Sequence, residues 1–500
     1  MKIKNLFITS ALLLIANSIL PALVSAQVMR LYGMTIIGGT SNQGVLFQYD
    51  PADSAYAKKV DFAGTSNGSE PFGSLMHATD GNLYGAVYQG GANAFGVLFK
   101  YDPVSSSYTK KLDFADTATG TYPRSDLVQA SDGNLYGTTE LGGTYNNGVI
   151  YKFDPGTSAF SKVHDFGAAG VTGTIDGSPY NSLMQASDGK LYGLTHVGGV
   201  GNEGVLYQYD PATSTYTKKI DFGAIGSTGP TYITAAYGTN PEGALVQATD
   251  GKLYGMTNQG GSGSYGVLFQ YDPVLDSVTK KLDFGAIGVT GTTNGINPTG
   301  ALLLASDSNL YGMTPNGGAN NLGVLFKYNP LTSTYTKRVD FAGTSNGATP
   351  YGSLIQASDG NLYGMTSAGG SNNGGILFQF NPVTSVFTKK LDFTGTNGKI
   401  PGYSRLLEFD LITAVNNLSN NNNFSIAPNP ATDQLTIHTP SFPNETITVS
   451  IMNVLGEIMQ KENLKWSDNI SMDIKNLHSG IYFLQLKTEK VSMVKRFVKE

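Results

Sequence analysis

The chain has 500 residues and contains 63 glycines, 28 tyrosines and 24 phenylalanines but no cysteine. The lack of cysteine excludes a disulfide scaffold, a cysteine nucleophile and thiolate metal sites. A formal net charge of -5 gives no global signal for nucleic-acid binding, and the glycine-rich, tyrosine-rich composition favours many short strands over helices. No residue pattern calls for a cofactor, and none is expected.

The first 26 residues have the pattern of a secretory signal peptide. A basic start at Lys2 and Lys4 precedes an apolar stretch from Leu6 to Leu20, and small residues end at Ala26. This order predicts cleavage between Ala26 and Gln27, with a retained membrane anchor as the alternative. No later apolar run is long enough to span a bilayer, so no integral membrane segment is expected after removal of the signal.

Residues 27–410 are predicted to form one repeat domain. A Leu-Tyr-Gly triplet recurs at spacings of roughly 52 to 62 residues, which is a period typical of propeller blades. Each full copy contains four short apolar runs, which we call strands a to d; in one copy these begin near Gly73, Asn82, Gly96 and Tyr108. The triplets begin at Leu31, Leu83, Leu135, Leu191, Leu253, Leu310 and Leu362.

The connections within each copy are short. Strands a and b are separated by Asp-Gly, as at Asp80-Gly81, which predicts a two-residue type I′ hairpin. Strands c and d are separated by Asp-Pro, as at Asp50-Pro51, which predicts a type I turn. Each copy is therefore predicted to be a four-stranded antiparallel meander.

The first and last copies are incomplete in complementary ways. The copy from Leu31 to Phe62 has strands b, c and d but no strand a, whereas Tyr403 to Phe409 forms a strand a with no strand b after it. Pairing between these segments would complete seven blades and remove the exposed sheet edges of an open array. The sequence therefore predicts an all-β fold, a seven-bladed β-propeller closed by a three-plus-one clasp.

The composition changes after the repeats. Residues 411–423 are rich in asparagine and are predicted to be a linker. Residues 424–500 contain alternating strands, such as Glu445–Ile451 and Ile481–Leu486, and are predicted to form a small immunoglobulin-like β-sandwich.

This tail resembles the type A C-terminal sorting domain of the type IX secretion system. The resemblance rests on Pro428-Asn429-Pro430, on the segment ending at Gly456, on Gly480 and Tyr482, and on the closing stretch from Lys495 to Lys499. It implies a Bacteroidota-type bacterium, Sec export, recognition of the folded tail by the type IX secretion machinery, and release or anchoring at the cell surface. An ordinary immunoglobulin-like adhesion module is the alternative.

The repeats are similar to the GloVer tandem repeats of bacterial surface proteins. The resemblance rests on Leu-Tyr-Gly-x-Thr, then Gly-Gly, then Gly-Val-Leu-Phe, as in Leu135–Thr139, Gly142-Gly143 and Gly148–Tyr151. It supports the architecture and leaves the activity open.

Residues present in every copy are most simply explained by the fold. We expect the triplet tyrosine to pack between blades rather than to stack on sugars. We expect the lysine pairs of strand d to discourage edge pairing rather than to bind a polyanion. The aspartate that ends strand d is expected to accept hydrogen bonds from loop amides rather than to form a functional carboxylate ring. These aspartates are Asp61, Asp113, Asp165, Asp221, Asp283, Asp340 and Asp392.

Candidate binding residues lie where the copies differ. The b–c and d–a loops share one face of the predicted ring and vary most, and exposed aromatic side chains there could grip a glycan or a peptide. Loops that merely tolerate insertion are the alternative. The candidate residues are Tyr180, His196, Glu203, Tyr232, Tyr237 and Tyr265.

An enzymatic function is less favoured by the sequence. Propeller glycosidases and lyases need a pair of carboxylates, and Glu140, Asp176, Glu203 and Glu242 are available without forming a recognisable motif. His77, His164 and His196 have no metal-ligand spacing. The sequence therefore predicts a secreted, monomeric, non-catalytic propeller for binding or adhesion. A polysaccharide-active enzyme and a structural envelope protein remain the alternatives.

Overall fold

The computed structural model describes residues 28–167, 177–223, 237–286, 293–411, 425–438, 446–453, 458–465, 469–487 and 492–500. These residues fall into two compact units, one formed by Met29–Leu411 and the other by the described residues from 425 onward. We call them the repeat unit and the C-terminal unit.

The described residues of the repeat unit form seven antiparallel sheets. Sheet 1 contains β1 (Val28–Thr35), β2 (Val45–Tyr49) and β3 (Tyr56–Asp61); sheet 2 contains β4 (Met76–His77), β5 (Leu83–Val87), β6 (Val97–Asp102) and β7 (Ser107–Asp113). A short helix, α1 (Asp116–Thr119), precedes sheet 3, which contains β8 (Val128–Gln129), β9 (Leu135–Thr138), β10 (Val149–Phe153) and β11 (Phe160–Asp165).

The next two sheets follow the same order. Sheet 4 contains β12 (Met184–Gln185), β13 (Leu191–Thr195), β14 (Val205–Asp210) and β15 (Thr215–Asp221). Sheet 5 contains β16 (Thr239–Pro241), β17 (Val246–Gln247), β18 (Leu253–Gln259), β19 (Val267–Asp272) and β20 (Ser277–Asp283).

The last two sheets complete the series. Sheet 6 contains β21 (Leu303–Leu304), β22 (Leu310–Thr314), β23 (Val324–Asn329) and β24 (Thr334–Asp340). Sheet 7 contains β25 (Ile355–Gln356), β26 (Leu362–Thr366), β27 (Ile376–Phe380) and β28 (Phe387–Asp392). The following strand, β29 (Leu407–Leu411), leaves sheet 7 and joins sheet 1.

The predicted clasp is confirmed. Sheet 1 has the order β29, β1, β2, β3, so its innermost strand comes from the far end of the unit. The Ser404 hydroxyl donates a buried hydrogen bond to the Met34 carbonyl at 3.2 Å. The Glu408 carboxylate accepts the Ser358 amide of sheet 7 at 2.9 Å. One short segment therefore fastens the first sheet to the last.

Hydrophobic clusters lie between neighbouring sheets and continue around the whole series. The triplet tyrosines are buried in these clusters, as predicted. Tyr84, for example, packs with Phe114 and Leu135 in the cluster between sheets 2 and 3. The cluster containing Leu31, Phe47 and Leu406 also contains Tyr363 and Phe393, and so joins sheet 7 to sheet 1. The repeat unit is therefore a closed ring of sheets.

Three recurrent residues of strand b have structural roles. The tyrosine hydroxyl donates to the a–b aspartate, as from Tyr84 to Asp80 at 2.9 Å. The glycine is required because a Cβ at Gly85 would lie 2.7 Å from Cζ of Phe99. The threonine two residues later accepts the first amide of strand c, as Thr195 does from Val205 at 2.9 Å.

The a–b turn differs from the prediction. Ala78 donates its amide to the Asn82 carbonyl at 2.9 Å, so the loop has three residues rather than two. Only its third residue, Gly81, has positive φ (82°), whereas a type I′ turn would require positive φ at Asp80 as well. Asp80 instead accepts the Asn82 amide at 3.0 Å and the Tyr84 hydroxyl.

Strand a is shorter than predicted because its first residues bond around the ring instead of along the sheet. Ser74 donates its amide to Asp126 of the next sheet at 2.6 Å, and Asp126 donates its own to Ser182 at 2.8 Å. At the other end of strand a, a Gln or Glu side chain accepts an amide from the a–b turn of the preceding sheet. These acceptors are Gln129, Gln185, Gln247, Gln356 and Glu408.

The aspartates that end strand d are loop-amide acceptors, as predicted. Asp113 accepts the Ala92 amide at 2.9 Å, and the same bond recurs at Asp61, Asp165, Asp283, Asp340 and Asp392. The first lysine of each strand d pair forms an ion pair with this aspartate, as Lys110 does with Asp113 at 2.9 Å. The first lysine therefore has a partner within its own sheet.

His164 occupies an interface position that is aliphatic in the other copies, such as Val60 and Leu112. Its ring stacks on Tyr216 at 3.8 Å and meets Phe166 edge-on at 5.0 Å. Burial lowers the pKa of His164 to about 4, which the charge of Asp165 only partly opposes. Between about pH 6.5 and pH 4, His164 is therefore protonated in the unfolded chain but neutral in the folded protein.

We expect His164→Leu to reduce the acid sensitivity of folding. The wild-type free energy of unfolding should fall as the pH drops from about 6.5 towards 4, because the unfolded state binds the proton first. This one group accounts for a loss of about 2–3 kcal/mol. Urea unfolding of both proteins at pH 7.5 and 4.5 measures the difference. An equal loss in wild type and variant would contradict the assignment.

The C-terminal unit is a β-sandwich of two sheets. One contains β30 (Ser425–Ala427), β31 (Gln434–His438) and β34 (Asn469–Asp473). The other contains β32 (Thr446–Met452), β33 (Ile458–Lys465), β35 (Gly480–Lys487) and β36 (Ser492–Lys499), in the order β33, β32, β35, β36. Alternating side chains of both sheets, such as Leu435, Val449 and Leu484, are buried together in one core.

Candidate functional site at the mouth of the central channel

The innermost strands surround a channel, and one equivalent position from each sheet lines its mouth. Six of these residues directly follow a proline that precedes strand a, and the seventh lies two residues after Pro401 in the clasp. All seven line one cavity of about 70 Å³. We call them the mouth ring: Phe72, Arg124, Tyr180, Glu242, Thr299, Tyr351 and Tyr403.

The residue before the proline fixes this position. In sheet 3 it is Tyr122, which has a φ of 60° although it is not glycine. Its amide donates to the Phe95 carbonyl of sheet 2 at 2.9 Å, and its carbonyl accepts the amide of Glu140 at 3.1 Å. The d–a loop is thereby tied to two b–c loops, which brings the residue after strand b next to the mouth ring.

Arg124 is held between aromatic rings. Its guanidinium carbon lies 5.0 Å from the centre of the Phe72 ring, 4.9 Å from that of Tyr180 and 5.5 Å from that of Tyr403. These distances are within the range of cation–π attraction. The side chain is only 27% exposed, so these contacts fix the position of the positive charge.

Glu140 supplies a carboxylate beside Arg124. Its Oε2 lies 4.0 Å from Arg124 Nη1 and has no hydrogen-bond partner among the described residues, although it is buried. Burial raises the pKa of the Tyr88 hydroxyl, and the negative charge of Glu140 raises it further. The same two causes raise the pKa of Tyr180. Both phenols therefore stay protonated and neutral beside this carboxylate.

His196 and Glu242 form a second polar pair on the other side of Tyr180. The His196 ring stacks on the Tyr180 ring at 4.9 Å with an interplanar angle of 12°. Its Nδ1 lies 3.7 Å from Glu242 Oε1, too far for a hydrogen bond. Burial lowers the pKa of His196, and the charge of Arg124 lowers it further. Burial also raises the pKa of Glu242, whereas Arg124 opposes that rise.

An aromatic wall completes the mouth ring. The Tyr351 and Tyr403 rings stack at 4.9 Å with an interplanar angle of 8°, and Phe72 meets Tyr403 edge-on at 5.3 Å. The wall borders the same cavity as Arg124 and Glu242. The mouth ring thus combines flat apolar faces with charged groups whose hydrogen-bonding capacity is not fully used.

The channel continues below the mouth ring into a second cavity of about 310 Å³. Asp126 and Ser182 line both cavities. Arg405 of the clasp also lines the second cavity, and its Nε lies 3.5 Å from Asp126 Oδ2. Its side chain is 46% exposed.

The structure brings together two of the predicted binding residues, Tyr180 and His196. Glu203 and Tyr265 lie in b–c loops, where their carbonyls accept the Asn240 and Asn297 amides, and neither lines the mouth cavity. Tyr237 is 38% exposed and does not line the cavity either. Tyr232 and Asp176 lie outside the described residues.

Sequence reasoning missed six members of the site: Phe72, Arg124, Thr299, Tyr351 and Tyr403 of the mouth ring, and Tyr88 beside it. The signal that could have found the five mouth-ring members was the variable residue one or two positions after the recurrent proline. Glu140 and Glu242 were recognised only as isolated carboxylates. Within the described ranges no group of three or more His, Asp or Glu side chains is placed to hold a metal ion. No helix in those ranges is long and apolar enough to cross a membrane.

Comparison with known families identifies the architecture. Residues 17–178, 120–287 and 231–423 match the Gloeobacter/Verrucomicrobia repeat family, and residues 425–500 match the secretion system C-terminal sorting domain. The chain belongs to the Gloeobacter/Verrucomicrobia repeat family and carries a type IX sorting domain. The sorting domain directs the protein through the type IX system to the cell surface or the extracellular space. No curated protein matches the chain.

Three solved structures are similar to the repeat unit, and the first of them supports the fold. A candidate 6-phosphogluconolactonase from Bacteroides fragilis is 15% identical, with a TM-score of 0.50, over 77% of this chain and 99% of its own. A similar protein from Bacteroides uniformis is 13% identical, with a TM-score of 0.48, over 77% of this chain and 99% of its own. A protein from Lactobacillus plantarum is 14% identical, with a TM-score of 0.49, over 77% of this chain and all of its own. The ring of antiparallel sheets and the likeness to the Bacteroides fragilis structure confirm the prediction of an all-β propeller.

The residues predicted to carry the sorting signal occupy distinct places in the C-terminal unit. Asn429 lies between Pro428 and Pro430, and its Oδ1 accepts the Val498 amide of β36 at 2.9 Å. Gly480 pairs with Lys499, and the Tyr482 hydroxyl donates to the His478 carbonyl at 3.0 Å. Lys495 pairs with Leu484 in the same ladder. Gly456, like Ala26 and Gln27, lies outside the described residues.

Proposed function

We propose that this secreted protein is a non-catalytic binding or adhesion module that holds a glycan or a surface-protein ligand at the mouth ring. The proposal includes a signal peptide of residues 1–26, a linker of residues 411–423, and recognition of residues 424–500 by the type IX machinery. The sorting-signal residues are Pro428, Asn429, Pro430, Gly456, Gly480, Tyr482, Lys495 and Lys499.

One observation carries the binding role. The residues that build the sheets and turns are nearly the same in every copy, whereas the seven equivalent positions of the mouth ring are occupied by five residue types. Four aromatic rings and two charged side chains meet at one cavity. Aromatic faces with a few converging polar groups are the usual composition of a ligand site, and they suit the apolar faces and hydroxyls of sugars.

A polysaccharide-active enzyme is the second candidate. Glu140 lies 4.0 Å from Arg124, and Glu242 lies 3.7 Å from His196. Arg124 and His196 both pack on Tyr180, so two carboxylates lie near this ring. Burial raises the pKa of Glu242, as a general acid requires. A glycosidase or a lyase would use such a pair. A structural envelope protein would need neither carboxylate at the mouth.

A binding screen with a turnover assay distinguishes these functions. The secreted protein is tested against a panel of glycans and polysaccharides, and each hit is assayed for new reducing ends or unsaturated products. Binding without turnover is the expected result. Turnover that Glu242→Gln abolishes would establish the enzyme instead. If no glycan binds, a pull-down with surface proteins tests the protein ligand, and failure there as well would leave the structural role.

A further inference from the structure

The guanidinium of Arg124 is placed as a hydrogen-bond donor without an acceptor. Three aromatic rings hold it, and its nearest carboxylate oxygen, Glu140 Oε2, is 4.0 Å away. In the described part of the chain no residue accepts a hydrogen bond from it. A guanidinium held in this way presents a planar fork of N–H groups, which matches the two oxygens of a carboxylate.

The mouth cavity places the positive charge of Arg124 beside an aromatic wall. Its volume is about 70 Å³, and Arg124, Glu242 and Tyr351 all line it. A carboxylate could enter while the rest of the ligand lies outside, over the aromatic wall formed by Tyr351 and Tyr403. Stacking of sugar rings on such flat faces is favourable because their C–H faces are apolar.

The remaining polar groups favour hydroxyl-bearing ligands. Glu242 and Thr299 also line the mouth cavity, where the carboxylate can accept a hydroxyl proton and the threonine hydroxyl can accept or donate one. A sugar ring carries several hydroxyls on adjacent carbons that can meet these groups, whereas an apolar ligand would leave them unpaired.

We infer that the mouth ring binds a glycan bearing a uronic acid, with the Arg124 guanidinium donating two hydrogen bonds to the uronate carboxylate. This inference rests on the proposed binding function and names its ligand class. Glu140 lies beyond hydrogen-bond distance of Arg124, so it weakens the attraction of Arg124 for an incoming carboxylate without occupying the fork. Arg405, deeper in the channel, adds a second positive charge that is paired with Asp126 at 3.5 Å.

Matched pairs of oligosaccharides test the inference. Calorimetry with the full secreted chain compares oligogalacturonate, oligoalginate and hyaluronan oligosaccharides with the same oligosaccharides after reduction of their carboxyl groups. At least one uronate form should bind about tenfold or more tightly than its reduced form, since a hydrogen bond to a charged group exceeds a neutral one in strength. The preference should decrease as salt is added.

Two variants of the site make the test specific. Arg124→Lys keeps the charge but loses the fork, so it should lose most of the preference for uronate. Glu140→Gln removes a competing negative charge, so it should increase that preference. Arg338→Lys is the matched control. Arg338 is in the outer strand β24, its guanidinium lies over the Phe380 ring, and it does not line the mouth cavity. Thermal melting of each variant confirms folding.

Three results would overturn the inference. Equal affinity for uronate and reduced forms would show that the site does not recognise the carboxylate, although it still binds a glycan. A preference for uronate that is unchanged in Arg124→Lys would show that the carboxylate binds at a residue other than Arg124. Failure of all six oligosaccharides to bind would overturn the inference, and the wider glycan and surface-protein screen then decides separately whether the proposed function stands.

Discussion

Deleting Tyr403 to Phe409 is expected to abolish cooperative unfolding of the repeat unit. The deletion removes Leu406, which is 1% exposed between sheets 7 and 1, and Phe409, which packs with Tyr32 between sheets 1 and 2. It also exposes the edge of β1 and frees the Ser358 amide that Glu408 accepts. Differential scanning calorimetry and light scattering of the full chain should show aggregation instead of a sharp transition.

Point variants distinguish the effect of weakening the closing interface from the effect of removing a whole segment. Leu406→Ala should lower the free energy of unfolding by about 2–5 kcal/mol, because it leaves a cavity in a closed interface. Val383→Ala is the matched control; Val383 is 88% exposed at a c–d turn and should change stability by less than about 0.5 kcal/mol. An unchanged melt of the deletion variant would show that the clasp is dispensable.

Replacing both Tyr180 and Tyr351 by alanine is expected to abolish measurable binding of a ligand found in the screen. These rings lie on opposite sides of Thr299 and Glu242 in the order of the mouth ring, and Tyr180 also supports both Arg124 and His196. Loss of two flat apolar faces should weaken binding by about 100-fold or more. Calorimetric titration measures the change.

Tyr145→Ala provides the matched control for this double variant. Tyr145 is 52% exposed in a b–c loop and does not line the mouth cavity. Its replacement should leave the affinity within about twofold of wild type. If the double variant binds as well as Tyr145→Ala, with both proteins folded, the ligand does not occupy the mouth ring.

The ring architecture could be predicted from the sequence because its signals are repeated. The Leu-Tyr-Gly triplet combines a core leucine, an interface tyrosine and a glycine that must accommodate a phenylalanine ring such as that of Phe99. The missing strand of the first copy and the extra strand after Asp392 indicated the clasp directly. The structural roles of repeated residues, such as Asp113, could also be predicted. A residue present in all seven copies is explained by the fold, because a single ligand site does not require seven copies of it.

Two details of strand a and its turn were predicted wrongly. The sequence around Asp80-Gly81 fits both a two-residue and a three-residue hairpin, and the structure has the three-residue form, in which Asp80 accepts the Tyr84 hydroxyl. Strand a was predicted too long because apolar periodicity does not reveal that Ser74 bonds to Asp126 of the next sheet. The glutamine side chains that accept neighbouring turns gave no pattern within a single copy.

The candidate site was predicted only in part for the same reason. Tyr180 and His196 were selected as variable loop residues, and they are in contact. Arg124 was not selected, because its partners Phe72 and Tyr403 come from other copies and Tyr403 lies at the far end of the repeat unit. Long-range closure of the ring, rather than local sequence, assembles the mouth ring.

The most direct test is a crystal structure of the full chain in complex with the tightest ligand from the glycan screen. The account predicts ligand density at the channel mouth, in contact with Arg124 and with the wall formed by Tyr351 and Tyr403. Density on the c–d turns at the rim, where Val274 and Leu331 are exposed, with an empty mouth would contradict it.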